Sequence, residues 1–190
     1  MVVVPWILDC IYGGWKLFLR HQSKWIQEIF TYSHIESIAD LMSLITSSDT
    51  LIAVSDGSAI ETTQLSSFGW VLTNQEGLKQ FEGNGPCDGK ATSMRAEAMG
   101  MLAISVVIGK IHEFTNYTCD TLNVQFYADN LALTNRMTEH QQYDSIYINS
   151  YLDPDIDLTE EIHFCHKEHK ITATFTHGMQ PLPIWTSQPK

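Results

Sequence analysis

The chain has 190 residues, of which 44% are hydrophobic and 17% are charged, as is typical of a globular domain rather than a disordered chain. Its 22 acidic residues outnumber 11 basic ones, giving a net charge of −11. This balance excludes a broad basic surface for nucleic acid, so any such role requires a local site where cations offset the acid.

Residues 1–50 differ in pattern from the rest of the chain. The start is apolar but has no basic leader, and Asp9 and Lys16 interrupt it, so the sequence predicts neither a signal peptide nor a membrane span. Residues 34–45 place apolar side chains at helical spacing. We expect 1–50 to form a helical arm packed on the main domain, or a remnant of an upstream connection.

The four cysteines are widely separated and form no CxxC pair. This spacing indicates free thiols in a reducing compartment, and therefore an intracellular protein, nuclear or cytoplasmic. The four are Cys10, Cys87, Cys119 and Cys165.

The pattern changes to strands at Leu51. An apolar run over 51–56 predicts a buried strand, and alternation of Phe68, Trp70 and Leu72 predicts a second. With a third strand ending in glycines, residues 51–85 are predicted to form an antiparallel meander. A helix over about 93–111 follows, capped by Thr92 or Ser93. Gly100 within it suggests close packing against another backbone.

The second half predicts two more strands. Residues 122–129 alternate with their apolar face inward and end at Asp129, which can cap the next helix. A further helix is predicted near 158–169 and a last strand at 171–177, before a Pro-rich irregular tail at 178–190. The order is β-β-β-α-β-α-α-β, which indicates an α/β fold with a mixed sheet.

Three carboxylates hold matching places in this order. Asp56 ends the first strand, Glu97 lies early in the first long helix, and Asp129 ends the fourth strand. Strand ends and helix starts meet at one edge of an open sheet, so we expect the three to gather there. Carboxylates so close repel one another unless divalent cations such as Mg²⁺ or Mn²⁺ bind between them. Gly57 would allow a close approach and Ser58 would begin a turn.

Each acid alone has an ordinary interpretation. Asp56 with the following Gly-Ser fits a turn, Asp129 fits a helix cap, and Glu97 fits an exposed helical position. The order of all three is what favours a site.

The segments SDGS (55–58), FGWVL, SMRAEAMGML and FYADN together resemble a type 1 ribonuclease H domain, in particular those of retrotransposon and reverse-transcriptase polyproteins. The resemblance covers about residues 51–177. It implies a ribonuclease H-like fold: a mixed five-stranded sheet, its first three strands antiparallel, with flanking helices. It implies a Mg²⁺-dependent endonuclease, with Mn²⁺ as a possible substitute, that cleaves the RNA strand of RNA–DNA hybrids. Asp56, Glu97 and Asp129 match the family's metal-binding acids, and His177 matches its auxiliary histidine.

The chain departs from the family beyond His177. The family has a fourth acid on a last helix, whereas residues 178–190 contain no Asp or Glu, so we expect that helix to be missing or atypical and the domain to be truncated. The polar residues near the acids that are candidates for substrate contact are Ser58, Arg95, Asn130 and Arg136. Gly57 is a further candidate, because it would let the substrate pass close to the backbone. The partners expected are an RNA–DNA hybrid and a polymerase domain or fragment, with no membrane.

Three alternatives remain open at this stage. The domain could be a catalytically impaired remnant acting as a nucleic-acid-binding or structural module, since the fourth acid is absent. It could be an actin-like ATPase fragment, although phosphate-binding glycine loops are lacking. Separately, the segment HFCHKEH could ligate zinc through His163, Cys165, His166 and His169, although no second pair of ligands is evident.

Overall fold

The structure is a computed structural model that describes residues 5–35, 37–77, 80–115, 121–142 and 154–178. Its helices are α1 (Pro5–Arg20), α2 (Lys24–Thr31), α3 (Ile38–Ser47), α4 (Ser93–Thr115), α5 (Leu131–His140) and α6 (Ile156–Glu168). Its strands are β1 (Ser33–His34), β2 (Leu51–Ile60), β3 (Leu65–Asn74), β4 (Gln80–Pro86), β5 (Leu122–Ala128) and β6 (Ile171–His177). The predicted tail at 179–190, and with it the question of a last helix, lies outside these ranges.

All strands join one mixed sheet in the order β1-β4-β3-β2-β5-β6. Strands β2, β3 and β4 form the predicted antiparallel meander. Strand β5 pairs in parallel with both β2 and β6, so the carboxyl ends of these three strands lie at one edge of the sheet. The predicted α/β fold with a mixed sheet is confirmed.

The sheet has six strands where five were predicted, because β1 pairs with the outer edge of β4. Ser33 lies opposite Gly83 and His34 opposite Glu82. A two-residue strand of polar side chains carries no alternation that a sequence pattern could reveal.

Helix α4 crosses the sheet and supplies much of the core. Its residues 100–109 are all buried, and apolar side chains of β2, β3 and β5 form one continuous cluster with them. The close approach predicted at Gly100 is confirmed, since a Cβ there would lie 3.0 Å from the backbone oxygen of Gly69. This contact fixes the height of α4 above the strands that carry the acids.

The N-terminal helices pack on the same core. Trp15 of α1 is buried, and its ring lies 5.1 Å from that of Phe30 and 5.2 Å from that of Phe114 in α4. Leu41 and Ile45 of α3 are also fully buried in the common cluster. The segment from Trp15 to Ile45 therefore contributes core side chains, while the division into an arm and a main domain stays a prediction.

Candidate active site

Asp56 lies where β2 leaves its parallel neighbour. The pairing of β2 with β5 ends at Ser55 opposite Ala128, whereas its pairing with β3 continues to Ile60 opposite Leu65. The prediction that the strand ends at Asp56 and turns at Ser58 is therefore wrong. Antiparallel pairing with β3 holds residues 57–60 in the strand, and the turn comes at 61–64. The exposed Asp56 side chain is still the first beyond the β5 pairing.

Asp129 and His177 lie on the neighbouring strand ends. Asp129 directly follows Ala128, which is in register with both Ser55 and His177. Its carboxylate Oδ1 is 3.8 Å from His177 Nε2, and the two side chains are 71% and 46% exposed. The register thus brings Asp56, Asp129 and His177 to one solvent-facing edge.

The cap of helix α5 is Asn130 rather than Asp129. The Asn130 side chain accepts a hydrogen bond from the backbone N–H of Leu133 at 3.0 Å. Both residues are good cap formers, and the one nearer the first helical residue takes the position. The carboxylate of Asp129 consequently takes no part in the cap.

Glu97 approaches this edge from α4. The side chain is 3% exposed, so the interpretation of Glu97 as an ordinary exposed helical acid is wrong. Its Oε1 accepts a hydrogen bond from the Ser93 hydroxyl at 3.0 Å, whereas its buried Oε2 has no hydrogen-bond partner among the described residues. A buried acceptor without a partner is unfavourable, so it indicates a place where a cation or another donor is needed.

The charges around Glu97 link the three acids. Burial raises the pKa of Glu97, while the Ser93 hydroxyl and the backbone of Asn130 oppose that shift. Asp56 and Asp129 raise the pKa further by electrostatic repulsion. The three carboxylates therefore share one local field, as their order in the sequence predicted.

Gly57 allows α4 to come this close to β2. A Cβ on Gly57 would lie 2.4 Å from the backbone nitrogen of Glu97 and 2.7 Å from Cβ of Ala96. Any larger residue would push the start of α4 away from the strand. The predicted close approach is made by the helix of this chain, which places the backbone of Glu97 against the residue that follows Asp56.

Arg95 is occupied by contacts within the protein. Its guanidinium donates from Nη2 to Asp157 Oδ2 at 2.7 Å, from Nη1 to Asp155 Oδ1 at 3.1 Å, and from Nε to Asp88 O at 2.7 Å. These bonds join the start of α4 to the start of α6. These bonds give Arg95 a structural role. They do not support the contact of Arg95 with substrate, which stays a prediction.

The other candidates for substrate contact differ in what they offer. The side chain of Asn130 is engaged in its helix cap, and Arg136 donates to the backbone oxygen of Pro154. Ser58 is exposed on β2, two residues beyond Asp56. Among these side chains, Ser58 therefore offers the most direct polar contact beside the acids.

The acids provide oxygen ligands suited to Mg²⁺ or Mn²⁺. Within the described parts of the chain, no three His, Cys, Asp or Glu side chains converge closely enough to form a ready-made metal site. The unpartnered Oε2 of Glu97, beside two further carboxylates that repel it, nevertheless fits a divalent cation in charge and ligand type.

The proposed zinc ligands of α6 do not come together in the structure. His166 is buried, and its Nε2 lies 2.8 Å from the Ser105 hydroxyl in the core. Cys87 and Cys165 are free, as the spacing of the cysteines predicted, and both are buried. Cys10 and Cys119 lie outside the residues whose side chains are described. His166 thus serves the packing of α6 rather than a metal site.

Comparison with solved structures identifies the fold. LC11 ribonuclease H1 in complex with an RNA/DNA hybrid matches with a TM-score of 0.50 and 18% identity, over 68% of this chain and 86% of that one. An N-terminal ribonuclease H domain from Mycobacterium tuberculosis matches with a TM-score of 0.46 and 13% identity, over 68% and 84%. Ribonuclease H1 of Halobacterium salinarum matches at 0.45 and 18%, over 69% and 86%. No family model and no curated protein matches the sequence.

The chain therefore has the ribonuclease H fold, on the strength of the match to LC11 ribonuclease H1. At this identity the likeness shows the fold alone, and the function has to be argued from the site. Among the described helices, none is long and apolar enough to span a bilayer.

One contact of the site escaped the sequence reasoning. Ser93 was considered only as a helix cap, but Thr92 caps α4 by accepting from the backbone N–H of Arg95 at 3.1 Å. The hydroxyl of Ser93 instead bonds Glu97. The signal was present in the sequence, because a serine four residues before a glutamate lies on the same side of a helix.

Proposed function

We propose that this chain is a metal-dependent endonuclease that cleaves the RNA strand of RNA–DNA hybrids. One observation carries the proposal: the buried Glu97, with an unpartnered oxygen, shares the local field of Asp56 and Asp129 at the edge where β2 leaves β5. A site built only for stability would not bury a carboxylate beside two others.

The surroundings of each residue indicate its role in the proposed reaction. Asp56, Glu97 and Asp129 would hold Mg²⁺ or Mn²⁺ through carboxylate oxygens. Bound divalent cations supply Lewis-acid activation of water and stabilise charge on the leaving oxygen of a phosphodiester. The rigid strands and α4 hold the acids in place, so little reorganisation is needed during reaction.

His177 is suited to an auxiliary role in the same reaction. It is 46% exposed and lies 3.8 Å from Asp129, so it reaches both solvent and the acids. We assign it the movement of a proton to or from solvent beside the reacting phosphate.

Substrate recognition would rely on shape rather than on base sequence. A hybrid is distinguished by its helical geometry, its 2′-hydroxyls and its backbone. Ser58 is exposed, so β2 offers a polar side chain to a substrate close to Asp56. The acidic balance of the chain makes bound cations necessary for any phosphate contact. Origin from a retrotransposon and partnership with a polymerase belong to the same proposal and rest on the sequence resemblance.

The experiment is cleavage of a hybrid labelled on the RNA strand, in Mg²⁺ and in Mn²⁺. We expect Asp56→Asn to lower the rate by more than about 100-fold, because even residues that only support a metal ligand contribute about 10–100-fold. Asp49→Asn is the matched control, since Asp49 is an exposed acid just before the other end of β2. Equal cleavage by the wild type and Asp56→Asn would contradict the assignment of the site.

A second candidate is a ribonuclease H-like module that binds nucleic acid, or has a structural role, without cleaving. The observation that favours it is that, in the described parts of the chain, no three His, Cys, Asp or Glu side chains converge into a group that could hold a metal ion. The same assay separates the two candidates. A folded sample that binds a hybrid but cleaves it in neither metal would support the module and contradict the enzyme.

A further inference from the structure

The Ser93 hydroxyl is positioned for a task other than capping. Helix α4 begins at Ser93, and its cap is Thr92, whose hydroxyl accepts from Arg95 and whose backbone oxygen accepts from Ala96 at 3.1 Å. The Ser93 side chain is therefore not needed to satisfy the free N–H groups at the start of the helix. Its hydroxyl donates to Glu97 Oε1, one turn further along.

That bond restrains the carboxylate of Glu97, a residue whose backbone is already held in place. The nitrogen of Glu97 is packed against β2 at Gly57, where no Cβ could fit. The Glu97 side chain is 3% exposed, while Ser93 itself is exposed at the start of the helix. With Oε1 bonded, Oε2 is the oxygen that has no partner among the described residues. Both ends of Glu97 are thus held, and one oxygen is left for another group.

We propose that Ser93 is a positioning residue that holds Glu97 so that its Oε2 is available to a divalent cation. The inference rests on the proposed metal-dependent function and adds a residue to it. Ser93 itself touches neither metal nor substrate in this account. It acts through Glu97, as residues that bond a metal ligand commonly do.

A purely structural role for Ser93 predicts a different set of results. A hydrogen bond between helix positions four residues apart stabilises a helix slightly, whatever the glutamate does. Loss of such a bond would alter unfolding and leave the metal requirement unchanged. The metal requirement and the split between kcat and KM therefore distinguish positioning from stability.

The test uses the full chain with Ser93→Ala, Ser93→Thr and Ser47→Ala. Ser47 is the matched control, because it is an exposed serine at the end of α3 that donates to the backbone oxygen of Ser43 and precedes the start of β2, whereas Asp56 lies further along that strand. For each protein, hybrid cleavage is measured against Mg²⁺ concentration, and the melting temperature is measured with and without Mn²⁺.

Ser93→Ala should lower kcat by about 10–100-fold and raise the Mg²⁺ concentration for half-maximal rate, with KM for the hybrid unchanged. Ser93→Thr, which keeps the hydroxyl, should recover most of the activity. Ser93→Ala should also reduce the rise in melting temperature that Mn²⁺ causes, since the stabilisation by a ligand increases with its affinity.

The outcomes separate the two claims. An active wild type with an unchanged metal requirement in Ser93→Ala overturns the role of Ser93 and leaves the nuclease intact. A loss of activity in Ser93→Ala that Ser93→Thr does not recover also overturns it. A wild type that neither cleaves nor gains stability with Mn²⁺ overturns the proposed function, and the role of Ser93 with it.

Discussion

Replacement of Gly57 by alanine tests how the site is assembled. A Cβ at Gly57 would lie 2.4 Å from the backbone nitrogen of Glu97 and 2.8 Å from the carbonyl carbon of Ala96. Normal contacts of this kind are about 3.4 Å or longer, so α4 and β2 would have to separate by about 1 Å. The atoms in contact belong to backbone and cannot rotate away. The strain therefore falls on the packing of α4 over the sheet.

The expected destabilisation follows from the well-filled core that α4 buries. Overpacking of a well-filled core destabilises by about 1–3 kcal/mol, and we expect the upper end here because two main chains are forced apart. The same shift moves Glu97 relative to Asp56. A displacement of about 1 Å at a reacting centre lowers the rate by about 100-fold. Gly57→Ala should therefore lose both stability and hybrid cleavage.

The assay is urea denaturation at equilibrium, combined with cleavage of the hybrid. Gly13→Ala is the matched control, because Gly13 lies in α1 and a Cβ added there would meet no atom within 4 Å. Alanine is better than glycine inside a helix by about 0.5–1 kcal/mol, so this variant should be more stable than the wild type. Wild-type stability and activity in Gly57→Ala would refute the close approach of α4 and β2.

Three further predictions concern the core and its contacts. Burial lowers the pKa of His166 to about 3, and His163 and His169 add to the effect. As the pH falls, the unfolded chain therefore binds the proton before the folded chain does. The contribution of His166 to the free energy of unfolding is complete above about pH 6.5, and below that pH it should decrease by up to about 1.4 kcal/mol per pH unit. His166→Phe should show a shallower loss of stability in urea denaturation between pH 6.5 and pH 4, a range that lies between the unfolded and folded pKa values of His166. An equal slope would contradict the burial of a neutral imidazole. In a double-mutant cycle, Arg95→Met and Asp157→Asn should couple by about 1 kcal/mol, not several, since Asp157 is 58% exposed; additive effects would show that the ion pair contributes nothing. Trp15→Ala should destabilise the whole domain by about 3–5 kcal/mol in thermal unfolding, and a loss under about 1 kcal/mol would show that α1 is dispensable to the core.

The strands and main helices were largely predictable because their periodicity is strong. Alternation located β5 and β6, and the run of Ala, Met and Leu located α4, which extends to Thr115 beyond the predicted end near 111. Each pattern is created by burial on one face, and a sequence displays burial directly. The order of the acids along these elements was enough to predict that they gather at one edge.

The errors occurred where a decision depends on a neighbour in space. The extension of β2 beyond Asp56 is set by its pairing with β3, and short polar residues such as Ser58 give no sign of it. The choice of Asn130 over Asp129 as the cap depends on where α5 begins. The burial of Glu97 comes from the height of α4 above the sheet, which Gly57 and Gly100 set together. None of these is a property of a single segment.

The partners of Arg95 show the same limit. A basic residue near predicted acids suggested contact with a phosphate, whereas α6 supplies Asp155 and Asp157 from 60 and 62 residues away. Only the packing of α6 beside α4 brings those carboxylates within reach. Local sequence therefore predicted the placement of the three acids better than the contacts of the groups around them.

The most direct test of the central claim is the rate of RNA-strand cleavage in a labelled hybrid with Mg²⁺, for the wild type and for Asp56→Asn. The three-carboxylate site predicts divalent-dependent cleavage by the wild type and its loss in the variant, while Asp49→Asn stays active. Cleavage that survives in Asp56→Asn, or a folded wild type that cleaves in neither Mg²⁺ nor Mn²⁺, would contradict it.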